Sequence, residues 1–591
     1  MNILGISCYY HDAAAALLQD GMLIAAAAEE RFSRVKHDSD FPRLAINFCL
    51  EQAGITAADL DYVVFYEKPF RKFDRILQSS LSGFPRSLSL FRESMLTWFS
   101  SKLWIKGRIL DELNIVPERL LFSEHHLSHA ASAFFASPFD EAAILTVDGV
   151  GEWATATTGI GRGAEIHIDH ELRWPHSLGM LYSTFTAFLG FEVNEGEYKV
   201  MGMAPYGIPR YVDNIWQLVH VSDDGAIELD LDYFAFHYSH KRAFSKKFLS
   251  FFGEQRAPNS HFFTQVTGYP SCFGRRPSDF DAQAVRNQEY ADIAASVQVV
   301  TEEVLLKMVN GLCQRTGLRK LCIAGGVGLN SVANGRMLSE TPVEELFVQP
   351  AAGDDGGALG AALYAWHCVL GKPRAFTMNH AYWGRAYSEA EIAADLAGSN
   401  CSAELLKDEA SLIERATADL LSGKVIGWYQ GRFEWGPRAL GNRSILADPR
   451  REAMKDVVNT RIKFREPFRP FAPSVLAERA GDYFDSRIVS QPAARFMLCV
   501  SKVNDARREQ VPAVVHVDGS ARPQIVERDE NPRYHRLIES FEESTGVPVL
   551  LNTSFNLRGE PIISTPAEAL STFARSDMDA LYMDRYVVRK S

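Results

Sequence analysis

The sequence has no C-x-x-C pair. Its eight cysteines, at 8, 49, 272, 313, 322, 368, 401 and 499, are scattered through 591 residues. That pattern argues against zinc ribbons and disulfide frameworks, and a reducing cytoplasm is the expected compartment. No stretch reaches ~18 uninterrupted apolar residues, so no membrane span is expected. The apolar first 28 residues are broken by His11, Asp12, Gln19 and Asp20 and carry no basic leader, which is unlike a signal peptide. Low-complexity tracts are missing. Positive charge is in deficit: 62 Lys+Arg face 74 Asp+Glu, a net charge of −12. An acidic average argues against a general nucleic-acid or membrane-surface binder. What remains is an ordinary globular composition, 46% hydrophobic and 23% charged. At ~100–200 residues per domain the length suggests two to four domains.

The hydrophobic pattern points to an α/β chain with an internal duplication. NILGIS (2–7) reads as a buried strand, followed by a polar turn through His11-Asp12, the run AAAALLQ and an Asp20-Gly21 hairpin signal. The pattern returns about 140 residues later, in the order AILTVD, Gly149-Val150-Gly151, ATATTGIG and AEIHIDHEL. That spacing exceeds a solenoid repeat of ~20–50 residues and fits two halves of one domain facing each other across a cleft. Two further strand–loop–helix signals follow. KLCIAGGVGLNSVANGRM (320–337) contains Gly325-Gly326, and ELFVQPAAGDDGGALGAALYAWH (345–367) contains the run 353–357. Glycines there allow backbone N–H groups to approach an anion at a helix N-terminus, which suggests a nucleotide site. Around 370–388 the pattern loosens into a linker, then SEAEIAADLAGS and SLIERATADLLSGK read as helices and KVIGWYQ as a strand. The boundary falls near 375–385, dividing the chain into 1–378 and 379–591.

The acidic average hides a basic segment. Residues 424–474 hold eleven Lys/Arg against five acids, a local balance of +6, which leaves −18 for the remainder. Most of these cations are arginines set among Gly, Pro and aromatic residues, as in GRFEWGPRALGNRSILADPR and RIKFREPFRPFAPS. Arginine grips phosphate and carboxylate through two parallel hydrogen bonds, so the segment reads as a small polyphosphate pocket. RNA contact would favour a broader basic surface with interleaved exposed aromatics.

SEHHLSHAASAF (123–134) is the second sharp feature. On a helix, His125 and His129 lie one turn apart, but His126 and His129 also lie on one side. Two such imidazoles can share a metal, with Asp148 and Asp354 as candidate carboxylates. A set of this kind suits Fe(II), Mn(II) or Zn(II), whereas all-oxygen ligands would suit Mg(II). His11, after the first strand and beside Asp12, is a candidate general base for an alcohol.

Taken together, these segments resemble the NodU/CmcH-type O-carbamoyltransferases. The segments that carry the resemblance in the first half are ILGISCYYHDAAAALLQDG (3–21), EERFSRVKHD (29–38), HHLSHAASAF (125–134), EGEYKVMGMAPYG (195–207), IAGGVGLN (323–330) and GDDGGALGAA (353–362). EWGPRALGNRSILADPR (434–450), FRPFAPS (468–474), HVDGSARPQ (516–524) and LLNTSFNLRGEPI (550–562) continue it in the second. The resemblance implies a duplicated actin/hexokinase-like (ASKHA, Kae-type) N-terminal domain and a YrdC-like α/β C-terminal domain. It also implies a two-stage reaction. Carbamoyl phosphate and ATP would give carbamoyl adenylate in the C-terminal domain, and the carbamoyl group would pass to an acceptor hydroxyl in the N-terminal domain.

By position, the resemblance places Arg438, Arg443, Lys463, Arg469, Arg522 and Asn552 on carbamoyl phosphate and ATP. It makes His125, His129, Asp148 and Asp354 a metal set, and so selects His125 over His126. His11 becomes the base toward the acceptor hydroxyl. Gly325, Gly326 and Asn330 become an adenosine loop, with Lys36 and Lys199 as phosphate partners. The implied cofactors are ATP, Mg2+ and Fe2+ or another divalent transition metal. The implied partners are carbamoyl phosphate and a hydroxyl-bearing small molecule such as a sugar or natural product, with no nucleic acid and no membrane expected; a homodimer is expected from large cytoplasmic enzymes generally. A tRNA-threonylcarbamoylation-like enzyme is the alternative. PAARFML (492–498) departs from the family pattern at Arg495, and 234–280 matches no motif, so packing and surface are its expected roles.

Overall fold

The computed structural model describes residues 1–100, 102–270, 273–399, 401–466 and 468–590. Cys272, and with Ser271 part of the unassigned 234–280 stretch, lies outside the described residues. The other seven cysteines are free thiols. Among the described residues, no helix is long and apolar enough to cross a membrane.

The duplication expected from the sequence is present as two five-stranded sheets of one topology. In the first, β1 (Asn2–Ser7), β2 (Ala14–Gln19) and β3 (Met22–Ala28) form an antiparallel meander, and β4 (Tyr62–Phe65) and β5 (Leu120–Phe122) add in parallel on the other side of β1, in the order β3-β2-β1-β4-β5. The second repeats this with β6 (Glu141–Val147), β7 (Ala154–Arg162) and β8 (Glu165–Arg173) as the meander and β9 (Lys320–Ala324) and β10 (Glu345–Val348) in parallel, in the order β8-β7-β6-β9-β10. This strand order is the actin/hexokinase-like α/β fold. Short apolar runs such as β1 and β6 are buried on both faces because helices cover them.

Helices that matter for the site are α1 (Pro69–Ser82) and α2 (Leu88–Ser100), inserted between β4 and β5, then α3 (His125–Phe134), α4 (Glu197–Met203), α5 (Ser331–Glu340) and α6 (Asp354–Tyr364). Helices α3 and α6 pack against each other through glycine. A Cβ on Gly360 would stand 1.8 Å from the Ser128 carbonyl oxygen, and one on Gly5 of β1 would stand 1.8 Å from that of Ala358. Gly360, the last glycine of GDDGGALGAA, thus serves close helix packing. The 234–280 stretch buries Phe234, Phe236, Phe248, Phe252, Phe262 and Phe263, so packing accounts for its aromatics.

Between 370 and 388 no helix or strand is assigned. The C-terminal α/β part follows, built on an eight-stranded mixed sheet of β11 (Ser402–Leu405), β12 (Ile426–Tyr429), β13 (Arg443–Ala447), β14 (Ala472–Leu476), β15 (Gln524–Val526), β16 (Val549–Ser554), β17 (Ala580–Met583) and β18 (Tyr586–Arg589). Their order is β11-β18-β17-β12-β13-β16-β14-β15. Phe433, Trp435, Leu440 and Phe468 leave this part and join the core of the first, so the two share one apolar seam. Polar contacts reinforce it: Arg31 donates to the Gly436 carbonyl (2.8 Å), Arg34 to that of Ile562 (2.8 Å) and Arg432 to that of Ile24 (2.9 Å).

Candidate active site

His125 opens α3, and His129 follows one turn later on the same face. Asp148 leaves the end of β6, and Asp354 opens α6. These four side chains converge, with one ligand atom from each lying within 4.8 Å of all the others. His125 Nε2 is 3.1 Å from His129 Nε2 and 3.1 Å from Asp148 Oδ2. Asp354 Oδ1 is 3.5 Å from His125 Nε2 and 3.6 Å from His129 Nε2. Two neutral imidazoles facing each other through Nε2 can both be satisfied only by a shared cation or proton. Burial opposes charge on His129, but Asp148 and Asp354 outweigh it and lift its pKa to about 9. Burial likewise opposes ionised Asp148, and the hydrogen bonds from His125 and His129 outweigh it, holding the carboxyl well below the usual range. Asp354 Oδ2, buried, has no hydrogen-bond partner. Two nitrogens and two carboxylates around one point fit a divalent transition metal by donor chemistry.

His126 is not in this set. Its Nδ1 meets Thr146 Oγ1 at 2.6 Å and its Nε2 meets the Ala154 carbonyl at 2.9 Å, so both nitrogens are engaged. Burial pushes its pKa down to about 3. Two supporting carboxylates escaped the sequence reading. Glu67 Oε2 lies 3.9 Å from His125 Nδ1, and Glu152 accepts from the His125 backbone N–H at 3.0 Å. Glu67 follows β4 by two residues and Glu152 lies beyond the 149–151 turn, positions that no spacing rule links to α3.

His11 lies in the β1–β2 loop, its ring centroid 4.1 Å from that of Tyr10, with Nδ1 3.3 Å from Asn194 Nδ2. Asp12, expected to partner it, instead pairs with His37 at 2.8 Å. Gly325 has φ +93°, and a Cβ there would come 2.2 Å from the Val147 carbonyl oxygen, which only glycine avoids. The Gly326 N–H donates to Asp148 Oδ1 at 3.2 Å, tying this loop to the four-residue cluster. Asn330 caps α5 through the Ala333 N–H (3.2 Å) and exchanges hydrogen bonds with Gln298, so its side chain is structurally engaged. Lys36 pairs with Glu195, and the Lys199 ammonium lies 5.9 Å from the Tyr198 ring centroid.

In the C-terminal part, Arg438, Arg469 and Arg522 come together with Arg465, a residue the sequence reading had counted but not selected. Burial, then repulsion from Arg438, Arg465 and Arg469, drives the Arg522 guanidinium well below its ordinary pKa. Burial, together with Arg469, lowers Arg438 to about 10. The Nε of both Arg438 and Arg522 has no hydrogen-bond partner. One carboxylate approaches: Glu466 Oε2 lies 3.6 Å from Arg469. Four arginines with so little compensation are arranged for an anion. Lys463 lies beside them but is engaged, donating to the carbonyls of Ser554 (2.7 Å) and Asn556 (2.7 Å) and fixing the loop after β16. Asn552 donates to Gln524 Oε1 (2.9 Å), and its buried Oδ1 is unpartnered. Arg443 stands apart. It is fully buried, donates to the Gln430 (2.7 Å) and Asn442 (3.0 Å) carbonyls and stacks 3.7 Å over the Tyr429 ring.

The N-terminal part reaches this arginine cluster. Arg469 lies 4.9 Å over the Tyr198 ring at the start of α4. Asn194, four residues earlier, touches His11.

A duplicated actin/hexokinase-like fold with a two-histidine, two-aspartate cluster, joined to an arginine-lined α/β part, defines a class of transferase. The family model for the carbamoyltransferase N-terminus matches residues 2–363, and that for the carbamoyltransferase C-terminus matches 417–590. The chain belongs to the carbamoyltransferase family. It is 45% identical to an uncharacterized protein of Synechocystis sp., over 100% of this chain and 97% of that protein. Nodulation protein NolNO of Sinorhizobium fredii is 36% identical over 98% of this chain and 79% of its own length. Nodulation protein U of the same species is 29% identical over 96% of each. Among solved structures, HypF of T. kodakarensis aligns with 63% of this chain and 48% of its own, at 13% identity and a TM-score of 0.31. The fold assignment rests on strand order and not on that alignment.

Proposed function

We propose that this carbamoyltransferase is an ATP-dependent O-carbamoyltransferase working in two stages. Residues 379–591 make carbamoyl adenylate from carbamoyl phosphate and ATP, and residues 1–378 transfer the carbamoyl group to a hydroxyl of a small-molecule acceptor. The observation that carries this reading is the arginine cluster, Arg438, Arg465, Arg469 and Arg522 around a single nearby carboxylate. Bringing two polyanions together requires such a concentration of unpaired cations. Carbamoyl phosphate gives its phosphate to water, the carbamate oxygen bonds to the α-phosphorus of ATP, and pyrophosphate leaves. In the second stage the acceptor oxygen bonds to the carbamoyl carbon and AMP leaves. Asn552 Oδ1 and the loop fixed by Lys463 border the first site, while Arg443 holds its scaffold.

At the second site, His11 is the base toward the acceptor proton, with Asn194 beside its Nδ1. His125, His129, Asp148 and Asp354 would hold a divalent transition metal, which when bound supplies Lewis-acid polarisation of an oxygen ligand. Glu152 fixes the backbone of the first of these ligands through the His125 N–H, and Glu67 stands 3.9 Å behind its ring. Gly325 and Gly326 would form the adenosine loop, which the Gly326 N–H ties to that cluster through Asp148.

The test supplies ATP, carbamoyl phosphate and divalent metal and measures AMP and pyrophosphate. Arg438→Ala or Arg522→Ala should lower adenylate formation by about 100-fold or more, the scale of losing one preorganised electrostatic contact. His11→Ala should leave that stage intact and block transfer. Equal loss of adenylate formation in all three variants would sink the division of labour.

A further inference from the structure

Helix α1 and the turn after α2 bring a second group of cations to the neighbourhood of Tyr10 and Trp174. Lys72 of α1 is 2% exposed, donates to Glu67 Oε2 at 2.6 Å and places its Nζ 3.4 Å over the Tyr10 ring. One turn later Arg75 is 7% exposed, with its guanidinium 5.3 Å from the Trp174 ring. Its Nη1 is buried without a hydrogen-bond partner, and among the described residues no carboxylate forms an ion pair with it. Lys102, just after α2, lies 5.9 Å from the Tyr10 ring and 6.0 Å from that of Trp98. Burial and the charge of Lys72 bring the Lys102 pKa down to about 8.

Lys72 and Lys102 therefore meet at the Tyr10 ring, and Arg75, one turn along from Lys72, stands beside the Trp174 ring. The carboxylates that face them are already engaged: Glu67 is held by Lys72, and Glu152 accepts the backbone N–H groups of Lys68 and His125. Glu67 and Glu152 act on Arg75 through space without forming an ion pair with it, and three cations against two carboxylates leave a buried positive balance that an anion would complete. Tyr10 precedes the proposed base His11, their rings 4.1 Å apart, so whatever Arg75 binds lies beside the hydroxyl to be carbamoylated. The unassigned segment closes the far wall, with Phe236 5.4 Å from Trp174 and His240 2.7 Å from Glu93 of α2.

We propose that Arg75, with Lys72 and Lys102, forms an acceptor subsite for an anionic group, so that the acceptor is a hydroxyl compound carrying a carboxylate, phosphate or sulfate. The inference rests on the two-stage reading above for the identity of the acceptor site, and its test separates the two. Calorimetry on the metal-loaded full chain would compare four probes: glucose, glucosamine, glucuronate and glucose 6-phosphate. The anionic probes should bind at least tenfold more tightly than the neutral and cationic ones. Glucuronate against glucose 6-phosphate then distinguishes carboxylate from phosphate. Arg75→Gln and Lys102→Gln should erase the preference, while Arg75→Lys, which keeps the charge, should retain part of it even if the glutamine variant folds poorly. AMP and pyrophosphate formation should stay within twofold of wild type in all three variants. Binding that ignores probe charge overturns the proposal. So does an Arg75→Gln variant, folded by its circular dichroism, that loses AMP formation, since Arg75 would then serve the carbamoyl donor. A wild-type chain that makes no AMP but still prefers the anionic probes refutes the two-stage reading alone.

Discussion

Asp148 Oδ2 stands 3.1 Å from His125 Nε2 and 3.6 Å from His129 Nε2, while Asp354 Oδ1 closes the other side of the same pair. Replacing Asp354 with Asn or His129 with Ala should therefore lower the co-purifying metal at least tenfold by elemental analysis. His126→Ala should leave metal content unchanged. It should instead reduce stability by about 1–3 kcal/mol, because Thr146 and the Ala154 carbonyl lose buried partners. Metal loss on His126→Ala, with His129→Ala unaffected, would reverse the assignment. Helical spacing brought these histidines to attention but could not choose between His125 and His126, because both share a side of the helix with His129. The choice depends on which strand lies beneath α3, a long-range fact: His126 points at β6 and β7, His125 at the carboxylates. Arg443 shows the same limit of the sequence. Its neighbours in the sequence are basic, yet its partners are carbonyls at 385, 430, 431 and 564, which only the closed fold brings together.

At the scale of elements, three of the four cluster residues ride on α3 and α6, so their separation is set by how closely those helices approach. Gly360 determines that distance, since a Cβ there would lie 1.8 Å from the Ser128 carbonyl oxygen in the middle of α3. Gly360→Ala should cost about 1–3 kcal/mol or more by overpacking and should also reduce metal occupancy, as the helices move apart. Gly107, in the helix Ile105–Leu113 with open space around it, is the control. There, Ala should stabilise by about 0.4–1 kcal/mol and leave metal content alone. Equal metal content in the Gly360 and Gly107 variants would disconnect helix packing from the site. The repeated strand–loop–strand pattern was readable from the sequence because buried strands carry it locally. The α1–α2 insertion was not, because its value lies in which residues of Tyr10, Glu67 and Trp174 it meets, and these come from three separate segments.

At the scale of the molecule, the net charge of −12 conceals a concentrated group of arginines, Arg438, Arg465, Arg469 and Arg522, on the C-terminal side of the seam, while His11 lies on the N-terminal side. One short segment touches both. Asn194 contacts His11, and Tyr198, four residues later, lies under Arg469. Asn194 takes φ +70°, a left-handed conformation that Asn tolerates better than most residues, and this turn aims the two contacts in different directions. Under the proposed two-stage reaction, a labile adenylate made among the arginines would have to reach His11 before water reached it, so the wall between them would matter as much as either end. Tyr198→Ala removes the ring that Arg469 stacks on without touching the metal cluster or the base. It should leave AMP formation within threefold of wild type, while the carbamoyl groups transferred per AMP fall at least fivefold and the balance is released as ammonia. Asn194→Ala should lower the same ratio through His11, and the double variant should be little worse than the poorer single one if both act on one passage. A Tyr198→Ala enzyme that loses AMP formation and transfer in proportion would assign the ring to adenylate formation and place the seam outside the route.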